Sequence, residues 1–219
     1  MTRYEIGPMP AQISVEVAAL LRQAETATVG HWRHWGFCDR RIRAMVRGPR
    51  VAGTAVTVAI PGPDSTALHH ALGLLRPGDV LLVDRLGDDR HACWGGGVTV
   101  AAKAAGAVAG VVDGPTTDIE EIQASAFPMW SRGLAPVTTR IYDLGGRINV
   151  PVSIGGVVVM PGDAVICDES GVLVLPPGEA EEEARRAIET QQRGLQTQDR
   201  VARGEKLGTL SGATAKVLA

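Results

Sequence analysis

The chain has 219 residues, 45% of them hydrophobic and 21% charged, with a formal net charge of -2. That is the mix of a globular chain long enough to bury a core without staples. The near-neutral balance supplies no global field for nucleic acid or an anionic membrane, so neither is expected as a partner.

The N-terminal MTRYEIGPMP has no basic segment leading into an apolar run, and no signal peptide is expected. Residues 13–27 place apolar side chains at helical spacing. Residues 51–60, VAGTAVTVAI, read as a β-branched strand, and PGPD at 61–64 as a turn. Asp64 or Ser65 is placed to cap a helix running to about Leu75. Pro77 and Gly78 make the next turn, Val80 to Val83 a buried strand, and RLGDDRHACWGGG a loop. VTVAAKAAG then reads as a short helix closing at Gly106, a natural C-terminal cap. AVAGVVDG is another buried strand, and PTTDIEEIQAS opens a helix with Thr116 or Thr117 as N-cap.

From about residue 136 the pattern becomes β-rich, with VTTRIYDL and GGVVVMPGDAVICDESGVLVLPP read as short strands joined by Pro-Gly-Asp and Glu-Ser-Gly turns. GEAEEEARRAIETQQRGLQ is a charged amphipathic helix, its EAEEEARR run a solvated face. The tail, 195–219, carries weak signals and is expected to be poorly ordered or to lie on a neighbour. With no linker and no repeat, residues 1–219 read as one α/β domain. No apolar stretch reaches membrane-spanning length. Cys38, Cys93 and Cys167 stand far apart without C-x-x-C spacing, which argues against a thiolate zinc site or a disulfide framework. A reducing cytoplasm is the simplest compartment.

Two strand-to-loop junctions concentrate the chemistry: VLLVD into RLGDDRHACWGGG, and AGVVD into GPTTD. In α/β sheets ligands bind beyond the carboxyl ends of strands, and the helices that follow offer free N–H groups to an anion. Gly95-Gly96-Gly97 admits two readings, close approach of backbone to a ligand or a tight turn needing positive φ. It matches neither a Walker loop nor a dinucleotide fingerprint. Asp118 is either an oxygen ligand for a divalent metal or a partner of the helix dipole. Asp84 and Asp113 sit at strand ends, as ligand contacts or as caps of the next turn. All five histidines, His31, His34, His69, His70 and His91, fall in the first 91 residues without the H-E-x-x-H spacing of a zinc site. Trp32 and Trp35 read as a packing or interface patch. No G-x-S-x-G elbow supports a hydrolase nucleophile.

The ordered series GPRVAGTAVTV, DSTALHHAL, PGDVLLVD, ACWGGG, GAVAGVVDG, TTD, FPMWSRGLAP and INVPVSIGGVVVMPGDAVICDESGVLVLP resembles the RraA-like family over about residues 12–190. The resemblance implies an α/β/α sandwich similar to the swivelling phosphohistidine-type domain, with a β-rich C-terminal half and a closing helix. It implies a homotrimer or homohexamer with sites at subunit boundaries. Aldolase members cleave hydroxylated oxo-diacids to pyruvate, and many decarboxylate oxaloacetate, using Mg²⁺ or Mn²⁺ as a Lewis acid. Other relatives bind RNase E as regulators.

The family's metal-holding Asp is kept as Asp118. Its substrate-binding Arg is Thr117 here, its acidic residue after Trp-Gly is Gly96, the Asp of its T-V-x-D segment is His31, and the Asn of D-N-x-A-L is Ser65. Threonine cannot imitate the permanent charge and forked donors of arginine. The expected function is therefore a diverged metal-dependent lyase acting on a small oxo-acid or related carboxylate. Gly95, Gly96, Gly97, Val98 and Thr117 would bind substrate and Asp118 the metal. His31, His69 and His70 are the candidate catalytic groups, since imidazole titrates near neutral pH. Arg85, Arg90 and Arg132 are possible sources of the missing charge. The alternatives are a non-catalytic regulator of the RNase E regulator type, or an enzyme repurposed for isomerisation or cyclisation. No nucleotide loop supports S-adenosylmethionine binding.

Overall fold

The computed structural model describes residues 3–46, 48 and 50–219; Met1 and Thr2 of the N-terminal segment, and Arg47 and Pro49 beside or within GPRVAGTAVTV, lie outside the described residues. In chain order the elements begin with β1 (Tyr4–Ile6), α1 (Val15–Leu21), α2 (Thr26–Val29), β2 (Arg43–Ala44) and β3 (Val51–Ala59). Then come α3 (Thr66–Leu72), β4 (Asp79–Asp84), α4 (Gly96–Ala104), β5 (Ala109–Asp113), α5 (Ile119–Ala124) and β6 (Met129–Ser131). The chain continues through β7 (Gly146–Ile148), β8 (Val152–Ile154), β9 (Val157–Val159), β10 (Ala164–Cys167) and β11 (Val172–Leu175). It closes with α6 (Pro177–Ala202), α7 (Leu207–Leu210) and α8 (Ala213–Leu218).

β-branched, wholly apolar runs set the sheet. β3 and β4 are buried along their full lengths, as expected of strands covered on both faces. β3, β4, β5 and β6 run parallel in that order, with short β2 antiparallel on the outer edge of β6. The other edge of β3 divides: β10 pairs with its first half and β7 with its end. β11 extends the sheet beyond β10, and β1 lies beside β7.

Alternation along β3 assigns the layers. Val56 and Val58 join a core with Leu68, Ala102 and Ile122 of α3, α4 and α5. Ala52, on the same side, joins Leu21 of α1 and Ala180, Ala184 and Ala187 of α6. Val51, Ala55 and Ala59 face the opposite way, against Val152, Ile154 and Val159 of the β8–β9 hairpin. The result is a mixed α/β fold in which helices gather on one face of a central sheet and a hairpin covers the other.

Four local expectations change. The helix expected over 13–27 is two helices, because Asp168 reaches across to accept from Thr26 N (2.8 Å) and Thr26 Oγ1 (2.7 Å) and so starts a new helix at Thr26. The helix expected from Val98 starts at Gly96. The N-cap of α5 is Asp118, not Thr116 or Thr117, because Thr116 is bridged to Trp94 and Leu134. VTTRIYDL makes only isolated bridges, since Arg140 N donates to Pro63 O (2.8 Å) in the turn before α3. The tail is helical rather than poorly ordered: residues 195–202 continue α6, and α7 and α8 follow with no buried residue.

Candidate active site

The parallel strands β4 and β5 end side by side at Asp84 and Asp113. Both carboxylates are spent on structure. Asp84 accepts from Leu86 N (2.7 Å) and Ser153 N (3.1 Å). Asp113 accepts from Gly155 N (2.7 Å) and pairs with Arg132 Nε. They tie the strand ends to the β8–β9 hairpin, which is the capping reading.

Beyond these strand ends the loops turn back toward the helical face. Trp94 and Thr116 bridge the two loops, with Thr117 N donating to Trp94 O (2.9 Å). Asp118 then takes a left-handed conformation (φ 51°, ψ 43°), which a short polar side chain tolerates better than most. Its Oδ2 accepts from Gly96 N at 3.0 Å, and Thr117 Oγ1 donates to its Oδ1 at 3.1 Å. A carboxylate thus rests on the N-terminus of α4, where the helix dipole favours it.

The three glycines serve different needs. None has a positive φ, so the tight-turn reading is set aside. A Cβ at Gly95 would collide with Asp118 Oδ2 and stand 2.9 Å from Thr117 Cγ2. One at Gly96 would collide with Glu121 Oε2 and stand 2.8 Å from Glu121 Cδ. Gly97 faces open space. The Glu121 carboxylate therefore occupies the volume that a side chain at position 96 would fill.

A cavity of about 360 Å³ opens beside Asp118. It is lined by Ser65 and His69 from the start of α3, by Cys93, Gly95, Gly97 and Val98 around the start of α4, by Thr117 and Asp118, and by residues 138–141. Burial pushes the Cys93 thiol up to about 11, so it is no thiolate nucleophile at neutral pH. The structure brings Gly95, Gly97, Val98, Thr117, Asp118 and His69 to one cavity, with Gly96 buried behind it under Glu121. His70 is exposed on α3 and outside this lining. His31 is not brought here. It follows α2, whose neighbour Trp32 is held on α6 by Glu183 (2.7 Å) and stacked under Arg186 (4.2 Å), and His31 itself is exposed. His34 lies beside a separate cavity with Arg33 and Phe37.

None of the three arginines named from sequence lines this cavity. Arg85 is buried and donates to the carbonyls of Gly62 and His91, Arg132 is paired with Asp113, and Arg90 is exposed elsewhere. The arginine that lines it is Arg140, which sequence reasoning missed and whose Nη1 donates to Thr139 O (2.9 Å) and to Thr138 Oγ1. It arrives through a bridge of residue 140 to Asp64, a contact 76 positions apart that leaves no local signal. Glu121 was also missed, although it stands three residues after Asp118 on a helix and so shares its face.

The RraA-like family model, described as Aldolase/RraA, matches residues 26–174. A Halalkalibacterium halodurans protein provisionally named a 4-hydroxy-4-methyl-2-oxoglutarate aldolase is 36% identical over 150 residues, 68% of this chain and 71% of that one. A Thermus thermophilus 4-hydroxy-4-methyl-2-oxoglutarate aldolase is 33% identical over 128 residues, 58% and 76% of the two chains. Among solved structures, Streptomyces coelicolor RraAS2, described as an unusual member of the RNase ES inhibitor RraA family, superposes with a TM-score of 0.75 at 27% identity, covering 85% of this chain and 98% of that one.

Proposed function

The chain belongs to the RraA-like family, and on that premise we propose that it is a divalent-metal-dependent carbon–carbon lyase acting on a small oxo-acid in the cavity beside Asp118. The observation that carries the reading is the seat of Asp118, a carboxylate held in a left-handed turn at the cavity wall by the Gly96 N–H. Among the described residues no three His, Cys, Asp or Glu side chains converge on one point. Mg²⁺ asks for less, because it keeps several waters and is held through one or two carboxylates. Asp118, with Glu121 beside it, fits that demand. Bound there, Mg²⁺ or Mn²⁺ supplies Lewis-acid polarisation of the oxo group.

The chain's own groups divide the remaining work. First-turn N–H groups of a helix have no intrahelical acceptor, and those of Gly97 and Val98 receive the substrate carboxylate. Arg140 provides the guanidinium that Thr117 lacks and steadies the negative charge that develops on the oxo oxygen. Glu121 stands in for the acid absent at Gly96 and positions a water for proton transfer. His69, which also lines the cavity, is the imidazole proposed to move that proton.

The lining also supports a site completed by a second subunit. Val137, Ile141, Tyr142 and Leu144 are all exposed on or next to the 138–141 segment that lines the cavity, an apolar patch on one loop. A second reading, a regulator without turnover, is favoured by Thr117 and Gly96 and by the likeness to RraAS2. A coupled pyruvate-release assay with oxaloacetate and 4-hydroxy-4-methyl-2-oxoglutarate separates the two. The lyase reading expects turnover that chelation removes, that Mg²⁺ or Mn²⁺ restores, and that Asp118→Ala abolishes. Silence under all metals would leave the regulator.

A further inference from the structure

A second cavity, of about 510 Å³, lies at the carboxyl ends of β5 and β6 and shares no lining residue with the first. Arg40, Arg41, Arg43 and Arg132 line it, with Asp89 as its one acidic lining residue and Pro115 in its wall. Four guanidiniums around one cavity are unusual in a chain whose formal net charge is -2, and they make a local positive field.

Two of the four are fixed. Arg41 forms a forked pair with Asp39 (Nη2–Oδ2 2.7 Å, Nε–Oδ1 3.1 Å). Arg132 is clamped between Asp113 and Asp39, the latter at 3.8 Å. The Arg41 hydrogen bonds hold the Asp39 carboxyl well below the usual carboxylate range, so it stays ionised as their anchor. Arg40 and Arg43 have no carboxylate within 4.0 Å among the described residues. Arg43 is not on a loose loop, because its backbone pairs with Ser131 of β6. The arrangement is thus a scaffold of two anchored guanidiniums carrying two uncommitted ones. A void of this volume is of the size small-molecule pockets have.

We propose that this cavity is a binding site for a small dianion, a molecule carrying phosphoryl or paired carboxylate oxygens, distinct from the lyase cavity. Guanidinium forks match both groups through paired N–H···O bonds. Pro115 lines this cavity while Thr117 and Asp118 line the other, so one short loop forms the wall between them.

The test is calorimetric titration of the native protein at low salt with inorganic phosphate in one arm and malonate in the other. Saturable binding of either supports the site and tells which oxygen group it takes. Arg40→Ala and Arg43→Ala are each expected to weaken binding by roughly tenfold or more, as loss of charged hydrogen bonds does. Asp89→Asn is expected to tighten it, since it removes the opposing charge. Asp118→Ala is expected to leave anion binding intact, and Arg43→Ala to leave pyruvate release intact. That separates this site from the proposed lyase activity, and either can fail alone. No saturable binding in either arm, equal affinity in the arginine variants, or loss of anion binding in Asp118→Ala would overturn the proposal.

Discussion

Asp118 was the one site residue that the family resemblance assigned to a metal, and its carboxylate is held by the residues around it. Its carboxylate, Thr117 and Gly95 leave no room for one another to change. The missing Cβ at Gly95 is what lets Asp118 Oδ2 approach the Gly96 N–H. Gly95→Ala is therefore expected to displace the carboxylate and raise the dissociation constant for Mn²⁺ about tenfold, the usual scale for disturbing a ligand's support. Gly97→Ala, where nothing lies within 4 Å, is the control and should leave Mn²⁺ affinity unchanged. Titration calorimetry of both variants checks this; equal affinities would remove the argument. The triple glycine was legible as either a place of close approach or a tight turn, and only the structure decides for the first. What it approaches was not legible, because Glu121 and Asp118 come from the next loop and helix.

Among the elements, strands with a regular period were read with little error: β3, β4 and β5 lie where their apolar patterns put them, while α6 starts as expected but runs on to Ala202. Two of the failures share one cause, a side chain from far along the chain that overrides local preference. Asp168 divides the first helix, and Asp64 holds the segment read as a strand in VTTRIYDL. Asp64 is fully buried and accepts from Thr66 N (3.1 Å), Tyr142 N (2.9 Å) and Leu144 N (2.9 Å) as well as Thr66 Oγ1 (2.6 Å). Burial pushes its carboxyl up, but these donors together pull it further down, so its folded pKa is below the unfolded value. The linked stability is full above about pH 4 and is lost as pH falls through the folded value. Thermal melts from pH 7 to 3 should show that loss in the native protein and a smaller one in Asp64→Asn. Asp64→Ala should cost roughly 2–3 kcal/mol at pH 7, because four donors lose their acceptor. Identical pH profiles for native and Asp64→Asn would contradict this account.

For the molecule as a whole, alternating strands and helices gave the α/β class, and the order of motifs gave the family. The divided sheet was beyond sequence, because no local pattern says that β3 is long enough to pair with both β7 and β10 on one edge. Nor did it reveal that the β8–β9 hairpin, rather than helices, covers the second face. Arg140 was hidden for the same reason: its place in the cavity lining depends on a long-range bridge. The exposed apolar patch on that loop belongs to this scale too. If it meets a partner copy, sedimentation equilibrium should give three or six times the monomer mass, and Ile141→Asp with Leu144→Asp should lower it. A native monomer would argue against a shared site. Among the described residues no helix is long and apolar enough to cross a membrane.

The proposed function rests most heavily on Arg140 serving in place of the guanidinium absent at position 117. Its most direct test is the turnover number for Mg²⁺-dependent pyruvate release in the native protein, Arg140→Ala and Arg140→Ala with Thr117→Arg. Turnover should fall by about 10²- to 10³-fold in the single variant, the usual cost of losing a donor to developing oxyanion charge, and recover in part when the charge returns at 117. Unchanged turnover in Arg140→Ala, or native protein silent while Thr117→Arg alone is active, would contradict it.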